Sequence, residues 1–311
     1  MFPIPGISLQ KVDWGVERLG VPETWKTTKG RGVKVLVVDT GAPARKVFGR
    51  VRPHADLKGR LVLAECRSFV ATECDPLDHN GHSTACCGIV AASDNRFGWV
   101  GYAPEASVVT FKVADRSGRV DGTALRLALE AAVAAHPDVV SVSLGMYVGA
   151  SRLRKPIREL TDMGIPVVCA AGNGGGDGLL YPARFPETIA VGAFDSAGAV
   201  ADFSARGGAL DFAFPGVNVT TTWLNGGYAT VSGTSFACPA CAGVLALLIA
   251  KHREQEKATG RNDCKTVGQM REHLAKYAVK PSDASEEDWG RGIIDVASLI
   301  GAERGETMKK V

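Results

Sequence analysis

Three polar side chains stand at the ends of apolar segments, and their types are those of a nucleophilic catalyst. Asp39 follows the β-branched run 33–38, His82 begins a stretch of small residues, and Ser235 begins another. Serine becomes a nucleophile when a base takes its proton and a carboxylate orients that base. The three residue types therefore predict acyl transfer, provided that the fold brings the side chains together.

The segment around Ser235 explains why a serine there would be reactive. Residues 232–234 are small and polar, as in a tight turn, and residues 236–250 carry no charge. Such a helix must be buried on nearly every side. Its first turn offers unpaired N–H groups and the positive end of the helix dipole, which stabilise an oxyanion. Taken alone, Ser235 is better explained as a helix N-cap, for which serine is a common choice, and the catalytic interpretation depends on a base elsewhere in the chain.

The composition favours a soluble globular protein and disfavours nucleic acid or a membrane as its partner. The chain has 311 residues, of which 45% are hydrophobic and 22% charged, and its formal net charge is +3. This is typical of a soluble globular protein, and an α/β fold of this length is often one domain. With no long basic run, we expect neither nucleic acid nor a membrane as partner. We also expect no secretory signal in residues 1–14, and only a core helix in the apolar run before Lys251.

The eight cysteines favour buried thiols over disulfides. Several are adjacent or three residues apart within small-residue segments, as in Cys86-Cys87 and the pair Cys238 and Cys241. Such spacings within one helix suit disulfides poorly, so we predict a reducing, cytoplasmic location. A zinc site at Cys238 and Cys241 is an alternative that lacks a second pair of ligands.

Alternating strands and helices predict an α/β fold. Strands are predicted at 33–38, 107–113, 138–144 and 165–171, and helices at 13–25, 122–136 and 155–163. This alternation is typical of a parallel sheet with helices on both faces. Asp39 then lies at the carboxyl edge of its strand, where such sheets place their sites. The basic segment 42–52 is predicted to be an exposed loop.

Four motifs, in order, resemble those of the subtilisin-like serine proteases. They are VLVVDTG (35–41), NGHST (80–84), VVCAAGN (167–173) and SGTSFACP (232–239). SVSLG (141–145), YPARFPETIAVGA (181–193), FAFPG (212–216) and GRGIIDV (290–296) extend the resemblance from about residue 10 to residue 300. It implies a three-layer subtilisin-like fold, with an N-terminal extension (1–9), a catalytic domain (10–300) and a tail (301–311).

The resemblance also implies a role for each site residue. Asp39 orients His82, His82 is the general base and acid, and Ser235 is the nucleophile of a serine endopeptidase acting on proteins or peptides. Asn173 and the backbone N–H of Ser235 form the oxyanion hole. A catalytically silent subtilase-like binding domain is the alternative. An α/β-hydrolase is disfavoured because its triad runs Ser, Asp, His.

Several positions depart from the family's usual motifs without touching the triad. Ala85 stands where a second histidine is usual, and Phe236, Cys238 and Ala240 alter the segment after the nucleophile. These changes predict altered packing beneath the site.

The substrate pocket is likewise implied by the resemblance. One wall consists of Ser143, Leu144 and Gly145, the other of Ala170, Ala171 and Gly172. Leu180 near the base stands where relatives often carry a small residue. We therefore predict a shortened pocket that prefers small or medium apolar side chains.

Two further expectations concern the N-terminal third of the chain. The arm 1–9, with Ile4-Pro5, resembles the short extension of the intracellular subtilisin branch. It is expected to inhibit by lying across the cleft, and a plain linker is the alternative. A structural calcium ion is implied by the loop 93–101, which otherwise fits a solvated polar loop. Its predicted ligands are the side chains of Gln10, Asp56 and Asn95 and the backbone oxygens of Ser93, Phe97 and Trp99, with Asp94 and Arg96 facing solvent.

Overall fold

A computed structural model describes residues 9–147, 151–281 and 284–302. Its strands are β1 (Lys34–Asp39), β2 (Ala44–Val47), β3 (Arg50–Pro53), β4 (Arg67–Ser68), β5 (Ser107–Lys112), β6 (Val139–Val142), β7 (Val167–Ala170), β8 (Ile189–Phe194), β9 (Phe212–Pro215), β10 (Val219–Trp223), β11 (Gly227–Val231), β12 (Ala278–Val279) and β13 (Ile293–Ile294). Its α-helices are α1 (Trp14–Arg18), α2 (Val21–Thr24), α3 (His82–Ala91), α4 (Gly122–Ala135), α5 (Ser151–Asp162), α6 (Thr234–Thr259), α7 (Val267–Lys276), α8 (Glu286–Trp289) and α9 (Val296–Ile300).

Seven strands form one sheet in the order β4-β5-β1-β6-β7-β8-β9, and every neighbouring pair is parallel. Successive residues of β1 point to opposite faces, so Val35 and Val37 join one core while Leu36 and Val38 join the other. Helices α3 and α6 pack in the first core, and α4 and α5 in the second. The predicted three-layer α/β fold is confirmed.

The predicted elements along the sheet are present with small shifts. The strand predicted at 33–38 is β1, and Asp39 is its last residue. The helix predicted at 155–163 begins earlier, at Ser151, and continues through Pro156. The division into extension, domain and tail extends beyond the described residues, since 1–8 and 303–311 are not among them.

Two predictions about local structure were wrong. The helix predicted at 13–25 is two short helices, α1 and α2, separated at Gly20, whose φ is 67°. Residues 42–52 are not a loop, because β2 and β3 pair as an antiparallel hairpin with Val47 opposite Arg50. The two turn residues, Phe48 and Gly49, have φ of 47° and 76°. Positive φ at both central positions gives a turn whose twist matches paired strands. The hairpin is exposed, as expected.

The cysteines are unpaired, and seven of the eight are buried, Cys74 being the exposed one. Cys238 contacts the Ser141 hydroxyl, with 3.4 Å between Sγ and Oγ. Burial of the thiols as small core residues is confirmed. Helix α6 alone among the described helices matches a membrane span in length and composition, and 89% of the matching window is buried in the protein.

Candidate active site

Asp39 and His82 come together at the carboxyl edge of the sheet. Asp39 is fully buried at the end of β1, and His82 is the first residue of α3. The Nδ1 atom of His82 lies 2.8 Å and 3.0 Å from the two carboxylate oxygens of Asp39. This contact requires a proton on Nδ1, which leaves Nε2 as the basic atom facing the cleft.

The carboxylate also sets the proton affinity of the ring. Burial opposes protonation of His82, but the charge and the hydrogen bond of Asp39, with a smaller effect of Asp78, outweigh it. The pKa of His82 is therefore raised above its ordinary value. A raised pKa makes the imidazole a stronger base and stabilises the imidazolium that forms when it takes a proton.

Ser235 lies in the first turn of α6 and is not its N-cap. The N-cap is Gly233, with φ of 151°, so the interpretation of Ser235 as a cap was wrong. Its Oγ donates to the Ser143 carbonyl at 3.1 Å, and its own carbonyl accepts from the Ser143 hydroxyl at 2.8 Å. The backbone N–H of Ser235 belongs to the turn whose N–H groups have no acceptor within the helix.

Asn173 is held in a defined orientation beside this turn. Its Oδ1 accepts from the backbone N–H of Thr234 at 2.9 Å and from the Thr234 hydroxyl at 3.0 Å. With the amide oxygen occupied, the Nδ2 group is the donor that Asn173 can offer to a ligand.

One cleft contains most of the predicted site. Its lining includes His82, Ser235 and Asn173 together with six of the predicted pocket residues: Ser143, Leu144, Gly145, Ala170, Gly172 and Leu180. Asp39 lies buried behind His82. Ala171 is fully buried in the core on the α4 and α5 face instead of lining the cleft. The predicted wall is thus formed by its neighbours, because consecutive residues at the end of a strand point to opposite faces.

Leu180 fills the space between the two pocket walls. A Cβ added at Gly145 would lie 2.8 Å from the Leu180 side chain, and so would one added at Gly172. Both glycines are needed for this close approach. The side chain of Leu180 occupies space that a smaller residue would leave open to a ligand.

Cys86 lies beneath the site, which the sequence did not predict. Its Sγ is 3.7 Å from Asp39 Oδ2, 3.9 Å from His82 Nδ1 and 3.5 Å from the Ser235 carbonyl oxygen. Burial, and secondarily the Asp39 charge, raises the pKa of this thiol. The i, i+4 spacing from His82 on a helix was the signal available in the sequence, because such residues share a face.

The residues predicted to bind calcium also lie together, around a buried carboxylate. Asp56 is fully buried and accepts from Asn95 Nδ2 at 3.0 Å, from the Trp99 N–H at 3.2 Å and from the Tyr228 hydroxyl at 2.9 Å. These donors are neutral, and no ion pair of Asp56 forms within the described residues. A buried charge normally has a compensating partner.

The remaining predicted ligands are tied to the same loop. Gln10 Nε2 donates to the Ser93 carbonyl at 2.7 Å, and the Phe97 N–H donates to Asn95 Oδ1 at 3.2 Å. Asp94 pairs with Lys29 at 2.8 Å in a partly exposed position.

Comparison with known proteins identifies relatives of this chain. The subtilase family profile matches residues 30–292. Thermitase of Thermoactinomyces vulgaris is 36% identical over 77% of this chain and 83% of its own length. An intracellular serine protease of Paenibacillus polymyxa is 36% identical over 77% of this chain and 73% of its own. The minor extracellular protease Epr of Bacillus subtilis (strain 168) is 33% identical over 90% of this chain, which spans only 40% of that protein.

Proposed function

This chain belongs to the subtilase family, and we propose that it is a serine endopeptidase that hydrolyses proteins or peptides through an acyl-enzyme. The observation that carries the proposal is the Asp39–His82 hydrogen bond at a cleft that also contains Ser235 and Asn173. These residues are of the types that the chemistry requires, and His82, Ser235 and Asn173 line one cleft.

The reaction starts from a rearrangement of the serine hydroxyl. Ser235 Oγ turns from the Ser143 carbonyl toward His82 Nε2, which takes its proton as Oγ attacks the peptide carbonyl. The negative charge that forms on the carbonyl oxygen is stabilised by Asn173 Nδ2 and the Ser235 N–H. His82 then protonates the leaving amine, and a water molecule repeats the sequence to release the acid.

Labelling by a fluorophosphonate probe tests this proposal against a catalytically silent binding domain. The wild-type protein should be labelled at Ser235, since only an activated hydroxyl displaces the fluoride. Ser235→Ala and His82→Ala should not be labelled, whereas Ser232→Ala should be. Absence of both labelling and peptide hydrolysis in the folded wild-type protein would favour the silent domain.

Leu180 restricts the substrate side chain that precedes the cleaved bond. Because it lies against both Gly145 and Gly172, the pocket suits small or medium apolar side chains. Leu180→Gly should raise kcat/KM for substrates with Phe or Tyr by about tenfold. A substrate with Ala at this position serves as the control and should gain little. No gain with Phe or Tyr would show that Leu180 does not limit the pocket.

A structural calcium ion fits the buried carboxylate of Asp56. Asp56, Asn95 and Gln10 would hold it by side-chain oxygens, and Ser93, Phe97 and Trp99 by backbone oxygens. Binding requires the Asn95 amide to turn its oxygen toward the ion. The nearby His54 does not supply the missing charge, because burial lowers its pKa. When bound, the ion links the N-terminal segment to the loop after α3.

Thermal unfolding of the Ser235→Ala protein, which cannot digest itself, tests the calcium ion. Calcium should raise Tm above its value in chelator, by mass action on the folded state. Asp56→Asn should remove this difference, while Asp94→Asn, which changes the neighbouring carboxylate, should keep it. Identical Tm values with calcium and with chelator would contradict the assignment.

The buried, unpaired thiols and the intracellular relative support a cytoplasmic location for this protein.

The proposed inhibitory arm, residues 1–9, lies largely outside the described residues, and of it only Leu9 is described. Deleting residues 1–8 should raise the initial rate of peptide hydrolysis, and an unchanged rate without a lag in the full chain would contradict inhibition.

A further inference from the structure

A second cluster of ligating side chains lies far along α6 from Ser235. His252 is in the last third of α6, Cys264 is in the connection to α7, and His273 is in α7. One ring nitrogen of each histidine and the Cys264 sulfur all lie within 4.8 Å of one another. None of these residues belongs to the catalytic cleft or to the calcium ligands.

His252 has a buried ring with no hydrogen-bond partner. Its exposed fraction is 3%, and neither Nδ1 nor Nε2 has a partner among the described residues. Buried polar groups are almost always satisfied, because an unpaired one loses its interaction with water without replacement. The edge-to-face contact with His273, at 4.9 Å between ring centroids, packs the rings without satisfying a nitrogen.

We propose that His252, Cys264 and His273 form a binding site for a zinc ion. Imidazole nitrogen and thiolate sulfur are the donors that zinc prefers, and three protein ligands leave a fourth, tetrahedral position for water. The oxygen-preferring ions calcium and magnesium do not suit this donor set. The inference is independent of the proposed protease activity.

The three ligand atoms are nearly as close to one another as they would be around a bound zinc ion. Zinc bonds of about 2.0–2.3 Å place tetrahedral ligand atoms roughly 3.5 Å apart, so side-chain shifts of about 1 Å suffice. Cys264 is already held in place, because its backbone N–H donates to Asn262 Oδ1 at 2.9 Å. His273 is only partly buried, which gives the ion a path from solvent and the fourth ligand a place.

The protonation states also suit zinc. Burial lowers the pKa of His252 and, with Lys251, that of His273, so both rings are neutral and have a free electron pair. Burial and the Asp263 charge raise the pKa of Cys264 to about 12. Zinc binding therefore displaces one proton from the thiol to solvent as the metal–sulfur bond forms.

The charges that act on the cluster are two cations, Lys251 and Lys276, and one anion, Asp263. Lys251 donates to the Leu299 carbonyl at 3.2 Å, and Asp263 is exposed beside Cys264. The thiolate and Asp263 together offset the charge of the divalent ion, while Lys251 and Lys276 oppose it. A bound ion would connect α6 to α7 and hold the segment that joins the two helices.

Cobalt titration of the Ser235→Ala protein tests the site, because Co²⁺ replaces zinc and reports thiolate coordination by a charge-transfer band. Calcium is kept in the buffer to fill any oxygen-ligand site. We expect one equivalent of Co²⁺ to produce the band, and zinc to displace it. Zinc about 100-fold above its Kd should raise Tm by several degrees.

Matched cysteine variants locate the bound ion. Cys264→Ser should abolish the band and weaken zinc binding by more than about 100-fold, since loss of a ligand exceeds loss of a group that only orients one. Cys74→Ser, at the exposed thiol, and Cys86→Ser, at the thiol beside His82, should keep both. A band that survives Cys264→Ser or disappears in Cys86→Ser would overturn the proposal.

A second ligand variant covers the case in which Cys264→Ser does not fold. His273→Gln replaces a partly exposed side chain, and circular dichroism checks its fold. It should weaken zinc binding to a similar extent, and the exposed control His136→Asn should not. Unchanged zinc affinity in His273→Gln, or no stoichiometric binding by the parent protein, would overturn the proposal.

Discussion

His82, at the active-site cleft, and His252, buried in α6, occupy opposite electrostatic situations. His82 packs against Phe236 of α6, and His252 packs against His273 of α7. Yet the Nδ1 of His82 is bonded to the Asp39 carboxylate, whereas neither nitrogen of His252 has a hydrogen-bond partner among the described residues. Burial disfavours the charged form of both rings. For His82 the carboxylate outweighs burial and the pKa is raised, whereas for His252 burial prevails and the pKa is lowered.

The difference shows that the partner, more than burial, decides what a histidine can do. A ring with a carboxylate behind it can accept a proton and hold it, as a general base must. A ring kept neutral with a free nitrogen is prepared to bind a metal. Four predictions test this comparison, in order of decreasing effect.

The largest effect is expected when the paired ring itself is removed. His82→Ala should lower kcat by about a million-fold, because Ser235 loses the group that takes its proton. His136→Asn, at the exposed end of α4, is the matched control and should leave kcat unchanged. Peptide hydrolysis with unfolding curves for both proteins is the measurement, and near-normal activity in His82→Ala would exclude the proposed base.

Removing only the Asp39 carboxylate should leave the His82 ring without a charged partner, as the His252 ring is among the described residues. Asp39→Asn should lower kcat about ten-thousand-fold, since an amide does not fix the required tautomer. Because it removes the charge that raises the pKa of His82, the acid limb of the kcat/KM profile should also move to lower pH. In the wild-type protein this limb should lie above the ordinary histidine value of about 6.5. A limb that stays in place in Asp39→Asn would contradict the role of the carboxylate.

A smaller loss is expected at the oxyanion donor. Asn173→Ala should lower kcat by about 100- to 1,000-fold with little change in KM, because the amide donates mainly to charge that forms in the transition state. Asn173→Asp keeps the acceptor for Thr234 but replaces the donor by a negative charge, so it should lose at least as much. A change confined to KM would instead assign Asn173 to substrate binding.

The smallest effect is expected at the unpaired ring. In chelator, His252→Leu should leave stability unchanged or raise it by about 1 kcal/mol, because it removes a buried group without a partner. In zinc, the same variant should be less stable than its parent, having lost a ligand. Denaturant unfolding in the Ser235→Ala background measures both. A large loss of stability in chelator would show that His252 has a structural role without metal.

The sequence predicted the sheet, its main helices and the residues of the catalytic cleft. The β-branched run before Asp39 and the uncharged segment after Ser235 are patterns of neighbouring residues. Each segment is apolar enough that it must be buried, whatever the rest of the fold. The motifs added the proposed roles of Asp39, His82, Asn173 and Ser235. The exposed hairpin at 42–52 was missed because its two-residue turn places Phe48 at positive φ, which its residue type does not suggest.

Only the tertiary structure decided which distant residues meet. It places Cys86 under the triad, Leu180 between two glycines, and Cys264 beside two histidines from different helices. The apolar face of a helix or strand can be predicted from the sequence, because it depends on the spacing of residues that are neighbours along the chain. Contacts between elements depend instead on how whole helices and strands pack, so the isolated histidines at 252 and 273 gave no sign of their common neighbour.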